Sequence, residues 1–153
     1  MEFNFFKDYF GTKAYFVHKP NLVLEYEEKN ETTYTLDSDL IFWNGKKQII
    51  IKRLDEDGGS FKTNLVTLPT IVRKIVKFFE RFEWFEKIIY SLRENMKFGA
   101  VLHDGMYDRP TFFERVYADW MLLLAYKVDG VNLFIRWIAF ILVRLFGSSY
   151  RNK

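Results

Sequence analysis

The chain has 153 residues and a mass of 18.5 kDa; 49% of its residues are hydrophobic and 20% are aromatic. This length supports one globular domain, and the aromatic content excludes a disordered chain, since large apolar groups favour collapse. The net charge of +3 is too small to indicate a nucleic-acid partner, and the absence of cysteine excludes disulfides, thiolate zinc sites and a cysteine nucleophile.

We predict a single domain over residues 1–153, divided into an N-terminal aromatic segment (1–12), a β-rich part (13–61) and a helical part (69–147). The first segment lacks the basic start and long apolar run of an export signal. Its aromatic residues either cover the domain's own sheet or form an interaction surface. They are Phe3, Phe5, Phe6, Tyr9 and Phe10.

Short alternating segments separated by turn residues predict five strands in the β-rich part. The predicted strands span residues 14–18, 22–27, 32–36, 40–43 and 48–53. Asn44-Gly45 predicts a tight hairpin between the last two, since both residue types accept positive φ. Asp57-Gly58-Gly59 closes this part, which we expect to be an antiparallel meander of four or five strands packed against helices.

After Pro69 the apolar residues recur every three or four positions, which predicts helices. We expect one amphipathic helix, or two in succession, up to about Asn95, and then a short helix over 98–107. A further helix runs from Pro110 to about Lys127, and the last covers 131–146 before Gly147. The predicted fold class is α+β, with an N-terminal antiparallel β-meander packed on a C-terminal bundle of four or so helices.

The last predicted helix has a broad apolar face with Arg136 and Arg144 near its edge. It is too short to span a bilayer, and the same pattern is found in core helices and in helices that lie on membranes. We favour a core helix. Its apolar residues are Leu133, Phe134, Trp137, Ile138, Ile141, Leu142 and Leu145.

Two histidines confine any imidazole chemistry to two positions. His18 ends a strand next to a turn, where we expect a surface residue. His103 and Tyr107 lie one helical turn apart and share a face, with Asp104 beside them. Asp119, the one charged residue in an apolar stretch of the next helix, needs a partner, so we predict a His103–Asp119 hydrogen bond. This pair is either structural or part of a catalytic or metal site, in which Asp104 would hold a cation such as calcium.

Four blocks follow one another along the chain from Phe61 to Gly147. They are Phe61-Lys62-Thr63-Asn64-Leu65-Val66-Thr67-Leu68-Pro69, Ala100-Val101-Leu102-His103-Asp104-Gly105-Met106-Tyr107, Ala118-Asp119, and Val143-Arg144-Leu145-Phe146-Gly147. In this order they resemble the phage and prophage family called domain of unknown function 1353. The resemblance covers roughly residues 22–147 and implies a bacterial virus or prophage as the source, without implying a reaction.

The His-Asp-x-x-Tyr pattern followed by Ala-Asp is also similar to the active-site helices of calcium-dependent phospholipases A2. That similarity implies that His103 activates water, that Asp104 binds calcium, and that Tyr107 and Asp119 orient the site. Two departures from the pattern of the phage and prophage family weaken such a site. Asn64 replaces an aspartate, and Ser60 replaces a glycine.

The resemblance therefore leaves two functional hypotheses. In the first, the chain is a virion-associated or assembly protein, present in the host cytoplasm during assembly or in the virion, with other phage structural proteins as partners. In the second, it is an active calcium-dependent hydrolase of the host envelope lipid, with catalytic residues His103, Asp119 and Tyr107 and the metal ligand Asp104. Calcium is the only cofactor implied. The first hypothesis expects a His103 closed off from solvent, and the second a His103 that solvent reaches.

Overall fold

Antiparallel strands form the N-terminal half of the molecule and helices the C-terminal half. The computed structural model describes residues 5–10, 13–28, 31–54, 58, 60–63, 70–107 and 112–146. After a short π-helical turn, Phe5–Phe10, come the strands β1 Tyr15–His18, β2 Leu22–Glu28, β3 Glu31–Leu36, β4 Leu40–Trp43, β5 Gln48–Ile51 and β6 Lys62–Thr63. The helices are α1 Thr70–Phe79, α2 Glu83–Tyr107, α3 Phe112–Val128 and α4 Leu133–Phe146. The predicted α+β class is confirmed.

The strands pair as two three-stranded antiparallel sheets, in the orders β1-β4-β5 and β2-β3-β6. The chain leaves β1, forms the β2–β3 hairpin as part of a separate sheet, and returns to pair β4 with β1. Asp37 closes the base of this excursion, because its carboxylate accepts hydrogen bonds from the backbone N–H of Asn21 at 2.8 Å and from its side-chain amide at 2.7 Å. Neighbours in sequence are therefore not all neighbours in the sheet.

The β4–β5 hairpin lies where Asn44-Gly45 predicts it, with Gly45 at a φ of 93°. Its loop is longer than a two-residue turn, because Trp43 pairs with Gln48. The side-chain oxygen of Asn44 accepts hydrogen bonds from the N–H groups of Lys46 and Lys47, each at 2.9 Å. Asn44 thus caps the loop from a buried position.

The helical boundaries differ from the prediction in one place. The helix predicted up to about Asn95 divides at residues 80–82, and the short helix predicted over 98–107 is the end of the 25-residue α2. Gly99 lies inside α2, where it lets the helix approach Tyr126 closely. Gly130, at a φ of 74°, separates α3 from α4. Gly147, the predicted stop of α4, and Asp57 and Gly59 lie outside the described residues.

The core lies between the β1-β4-β5 sheet and α2 and α3, and α3 is its centre. All six residues from Met121 to Tyr126 are buried. The sheet and α2 contribute further large buried side chains to this cluster, among them Leu40, Phe42, Ile49, Ile51, Val101, Leu102 and Met106. This arrangement places the C-terminal half of α2 between the sheet and α3.

The N-terminal aromatic segment divides between core and surface. Tyr9 is buried beside Trp137, with ring centroids 6.1 Å apart, and its carbonyl oxygen accepts a hydrogen bond from Lys127. Phe10 is exposed. Phe3 and the side chains of Phe5 and Phe6 lie outside the described residues. Of the aromatic residues in this segment, the structure therefore shows only that Tyr9 packs inside the domain and that Phe10 lies at its surface.

The α4 helix has one apolar face in the core and another at the surface. Trp137 and Phe140 pack against the main core, as expected of a core helix. A second set of large apolar side chains is exposed, namely Leu133, Phe134, Ile138, Ile141 and Leu145. Within the described part of the chain, no helix is both long and apolar enough to cross a membrane.

Gly105 allows α2 to lie close to β5, which provides the first test of the packing. A Cβ added at Gly105 would lie 2.6 Å from two side-chain atoms of Ile51. Overpacking of this kind costs about 1–3 kcal/mol and outweighs the roughly 1 kcal/mol that alanine gains over glycine in a helix. We therefore expect Gly105→Ala to lower the free energy of unfolding, measured by urea denaturation. Ser91→Ala, at an exposed position of the same helix, is the control and should be neutral or slightly stabilising. Equal stability of both variants would contradict the close packing.

Candidate functional site

Three helices bring four polar residues together at one end of the helical layer. His103 and Asp104 lie in the last turns of α2, Asp119 lies in α3, and Arg144 lies in the last turn of α4. Only residues 108–111 connect α2 to α3, and a connection this short makes the helices antiparallel neighbours. The end of α2 is therefore held beside the first half of α3.

Asp119 is the centre of the cluster and is almost completely buried, with 1% of its surface exposed. Its Oδ1 lies 2.7 Å from His103 Nε2, and its Oδ2 accepts a hydrogen bond from Arg144 Nη1 at 2.8 Å. A buried carboxylate without partners would cost several kcal/mol, and here each oxygen has a hydrogen-bond partner. The hydrogen bond predicted between His103 and Asp119 is present.

His103 is 8% exposed, and its two ring nitrogens face two carboxylates. Nε2 is bonded to Asp119, and Nδ1 lies 3.8 Å from Asp104 Oδ1. Burial alone would lower the pKa of His103, but the interactions with Asp104 and Asp119 outweigh it and raise the pKa to about 9. The ring is therefore protonated at neutral pH, and its Nε2–H donates to Asp119.

Tyr107 covers the imidazole, one helical turn further along α2. The ring centroids of His103 and Tyr107 are 4.8 Å apart, and the rings are inclined by 32°. The sequence prediction that these two residues share a face is confirmed. The roles of Tyr107 and Asp119 in orienting a catalytic histidine, which the phospholipase similarity implies, stay predictions.

The calcium site implied by the phospholipase similarity stays a prediction. Calcium takes six to eight oxygen ligands, and within the described ranges no group of three or more His, Asp or Glu side chains is placed so that it could hold a metal ion. The Asp104 side chain is 43% exposed, and both oxygens of Asp119 are already bonded. Gly99 is buried inside α2. Asn64 and most of Asp57-Gly58-Gly59 lie outside the described residues.

Sequence reasoning did not identify Arg144 as part of the site. The sequence shows an arginine within the most apolar helix, but it does not show which residue that arginine contacts. Asn44 was also missed, as it was interpreted only as a turn residue. Its amide donates to the hydroxyl of Tyr117 at 2.6 Å, which connects the β4–β5 hairpin to α3 two residues before Asp119.

His18 stands apart from the cluster and is a surface residue, as predicted. Its Nε2 lies 2.8 Å from the hydroxyl oxygen of Ser38 in an exposed contact. His103 is therefore the only one of the two histidines with a buried ionic environment.

Comparison with family models, with curated proteins and with solved structures found no match to this chain. The resemblance to the phage and prophage family, which rests on four sequence blocks, therefore stays a prediction. What is established about the site comes from its own geometry.

Removing the charge of Asp119 should destabilise the fold. In Asp119→Asn, the cations of His103 and Arg144 lose their shared partner, and breaking a buried ion pair from one side costs about 3–5 kcal/mol. We expect a loss of that order in the free energy of unfolding by urea. Glu86→Gln removes an exposed carboxylate from α2 and is the matched control, expected within about 0.5 kcal/mol of wild type. A similarly small change in Asp119→Asn would contradict the structural role of the cluster.

The raised pKa of His103 predicts that stability falls at alkaline pH. Its folded-state pKa of about 9 exceeds the ordinary value of 6.5, so the contribution is complete below pH 6.5 and is lost as the pH rises through 9. The loss should amount to about 3 kcal/mol relative to His103→Gln, which lacks the titrating ring. Denaturant midpoints of both proteins, measured between about pH 6 and pH 10, test this. If the denaturant midpoints of the two proteins change with pH in parallel, the raised pKa of His103 is ruled out.

Proposed function

We propose that the chain is a virion-associated or assembly protein of a bacterial virus, in which His103, Asp119 and Arg144 form a non-catalytic connection between three helices. The proposal of a non-catalytic role rests on the hydrogen bonds of Asp119. One oxygen of this buried carboxylate is bonded to α2 and the other to α4. Such a network fixes the relative position of the helices that it joins.

The chemistry of His103 supports the same proposal. A general base must be unprotonated at the working pH and must reach the proton that it abstracts. His103 has a pKa raised to about 9, so at neutral pH it carries a proton on each ring nitrogen. One nitrogen faces Asp119, the other faces Asp104, and the Tyr107 ring lies over the imidazole. This environment favours a charged, hydrogen-bonded histidine over one that activates water.

The viral context of the proposal rests on the order of the four sequence blocks. Partners of this chain would be other phage structural proteins, met in the host cytoplasm during assembly or in the virion. The exposed face of α4 suits such contacts, because Phe134, Ile138, Ile141 and Leu145 follow one another at intervals of four, three and four residues. This spacing gives one apolar stripe along the helix, and apolar surface of this kind is typical of protein interfaces.

The alternative is a calcium-dependent hydrolase of the host envelope lipid, with His103 activating water and Asp104 binding the metal. One observation favours it. The Asp104 carboxylate is partly exposed and lies beside the His103 ring, which is where a metal ligand next to a catalytic base would lie. The two functions differ in whether calcium binds the folded protein.

Thermal unfolding with calcium and with a chelator separates them. A ligand at 100 times its dissociation constant stabilises the folded state by about 2.7 kcal/mol, which corresponds to a rise of several degrees for a domain of this size. We expect no calcium-dependent shift for wild type or for Asp104→Asn, and no release of fatty acid from phospholipid vesicles. A calcium-dependent rise of the thermal midpoint in wild type that Asp104→Asn abolishes, with hydrolysis that His103→Ala abolishes, would establish the hydrolase instead.

The viral context has its own test, since it expects phage structural genes beside the gene for this chain.

A further inference from the structure

The segment from α1 to the middle of α2 has an exposed surface. Every residue from Lys74 to Trp84 whose side chain is described is exposed, and α2 becomes largely buried only from Met96 onward. Extensive packing joins α2 to α3 and α3 to α4, whereas α1 takes part in no extensive packing among the described residues. The first half of this helical pair is therefore a surface feature outside the core.

This exposed segment carries a dense group of exposed aromatic residues. Phe78, Phe79, Phe82 and Trp84, which we call the aromatic turn, lie where α1 passes into α2. Phe78 is 57% exposed and Trp84 is 60% exposed. Rings of the group contact one another, with centroids 5.3 Å apart for Phe78 and Phe79 and 6.1 Å apart for Phe82 and Trp84. Exposed apolar surface of this kind is typical of binding sites.

The opposite side of α1 is basic. At about 100° per residue, Lys74 and Lys77 lie on the side of the helix away from Ile75 and Phe79. Residues 70–84, which include the aromatic turn, contain four basic residues and two acidic residues, an excess of two within a chain whose net charge is +3. Most of the excess positive charge of the protein therefore lies in the segment whose aromatic side chains are exposed.

Arg81 connects the two sides of this segment. Its guanidinium carbon lies 3.9 Å from the ring centroid of Phe78 and 5.8 Å from that of Phe82. An exposed helix with one apolar aromatic face and one basic face has the composition of helices that lie in the plane of a bilayer surface. Tryptophan is favoured at the headgroup level, and long basic side chains extend from the apolar face to lipid phosphates.

We propose that α1 and the aromatic turn bind the surface of an anionic phospholipid bilayer, with α1 lying in the plane of the membrane. The apolar rings would enter the boundary between headgroups and acyl chains, and Lys74, Lys77 and Arg81 would contact phosphates. This inference does not rest on the proposed function, because the cluster around Asp119 lies in another part of the molecule.

The charges also distinguish this surface from the exposed face of α4. The only charged residues of α4 are Arg136 and Arg144. Arg144 bonds Asp119, and the guanidinium of Arg136 lies 5.8 Å from the ring centroid of Tyr9. Both arginines thus contact the body of the protein, and the exposed stripe of α4 lacks the cations that an anionic lipid surface attracts. Among the described helices, α1 has both features.

Flotation with vesicles of stated composition tests the proposal. The full-length protein should float with phosphatidylcholine vesicles containing about one third phosphatidylglycerol, and at least about tenfold less with phosphatidylcholine alone. Binding should weaken as sodium chloride rises from about 0.1 M to about 0.5 M, since salt screens exposed charges. Absence of flotation with the anionic vesicles at low salt would overturn the proposal.

Matched variants locate the binding surface. Phe78→Glu and the double variant Lys74→Glu/Lys77→Glu should each lower binding at least about tenfold, with unchanged thermal midpoints. Phe134→Glu changes a residue of α4 that is 73% exposed, and Lys13→Glu/Lys52→Glu changes the net charge by the same amount at other exposed positions. Both controls should bind as wild type does. Loss of binding in Phe134→Glu with retention in Phe78→Glu would assign the membrane surface to α4 and overturn the proposal.

Two further readouts do not depend on the charge-reversal variants. Tryptophan emission should shift to shorter wavelength on adding anionic vesicles. The Trp84→Phe variant should lose most of this shift while still floating with the vesicles.

Sedimentation measures whether a second copy of the chain covers the same surface. A wild-type oligomer that Phe78→Glu converts to a monomer, with no vesicle binding by wild type, would assign the aromatic turn to self-association instead.

Discussion

The burial of one carboxylate, that of Asp119, is the constraint on which the arrangement of the helices depends. An apolar core excludes an isolated charge, so the fold that buries Asp119 must bring cations to both of its oxygens. His103 comes from the end of α2 and Arg144 from the end of α4. With α3 between them, these contacts fix three helices relative to one another. The same constraint favours the charged form of the histidine, because both neighbouring carboxylates raise its pKa.

The contacts around this network extend its effect to the sheet. Asn44 reaches from the β4–β5 hairpin to Tyr117 on α3, and Gly105 lets α2 approach Ile51 on β5. The C-terminal half of α2 is therefore fixed on two sides, by α3 and by the sheet. Its N-terminal half extends beyond these contacts together with α1. The molecule thus combines an apolar core, whose helices are joined by the hydrogen bonds of Asp119, with an exposed segment that carries basic and aromatic residues.

Local patterns in the sequence predicted the elements well. Alternation and turn residues placed β4 at 40–43, and the spacing of Asp119 in an apolar stretch predicted its bond to His103. Strand pairing was harder, since alternation marks a strand but not its partner, and the β2–β3 hairpin belongs to a separate sheet. The short helix predicted over 98–107 is instead the end of α2, and local periodicity does not show that Gly99 lies inside one continuous helix packed against Tyr126.

The rest of the site could not be predicted from local patterns, because it depends on contacts between distant parts of the chain. Arg144 is 25 residues from Asp119, and no periodicity relates the two. Helical periodicity likewise predicted an apolar face on α1 without indicating whether the protein itself would cover it. The raised pKa of His103 depends on Asp104 and Asp119 together with burial, a combination that exists only in the folded chain.

The most direct test of the central claim is a titration of the His103 ring nitrogens by heteronuclear NMR, with His103→Gln used to assign the resonances. The account predicts an imidazolium at neutral pH that loses its proton near pH 9, and a lower pKa in Asp119→Asn. A neutral ring at pH 7 that titrates near the ordinary value of 6.5 and is unaffected by Asp119→Asn would contradict it.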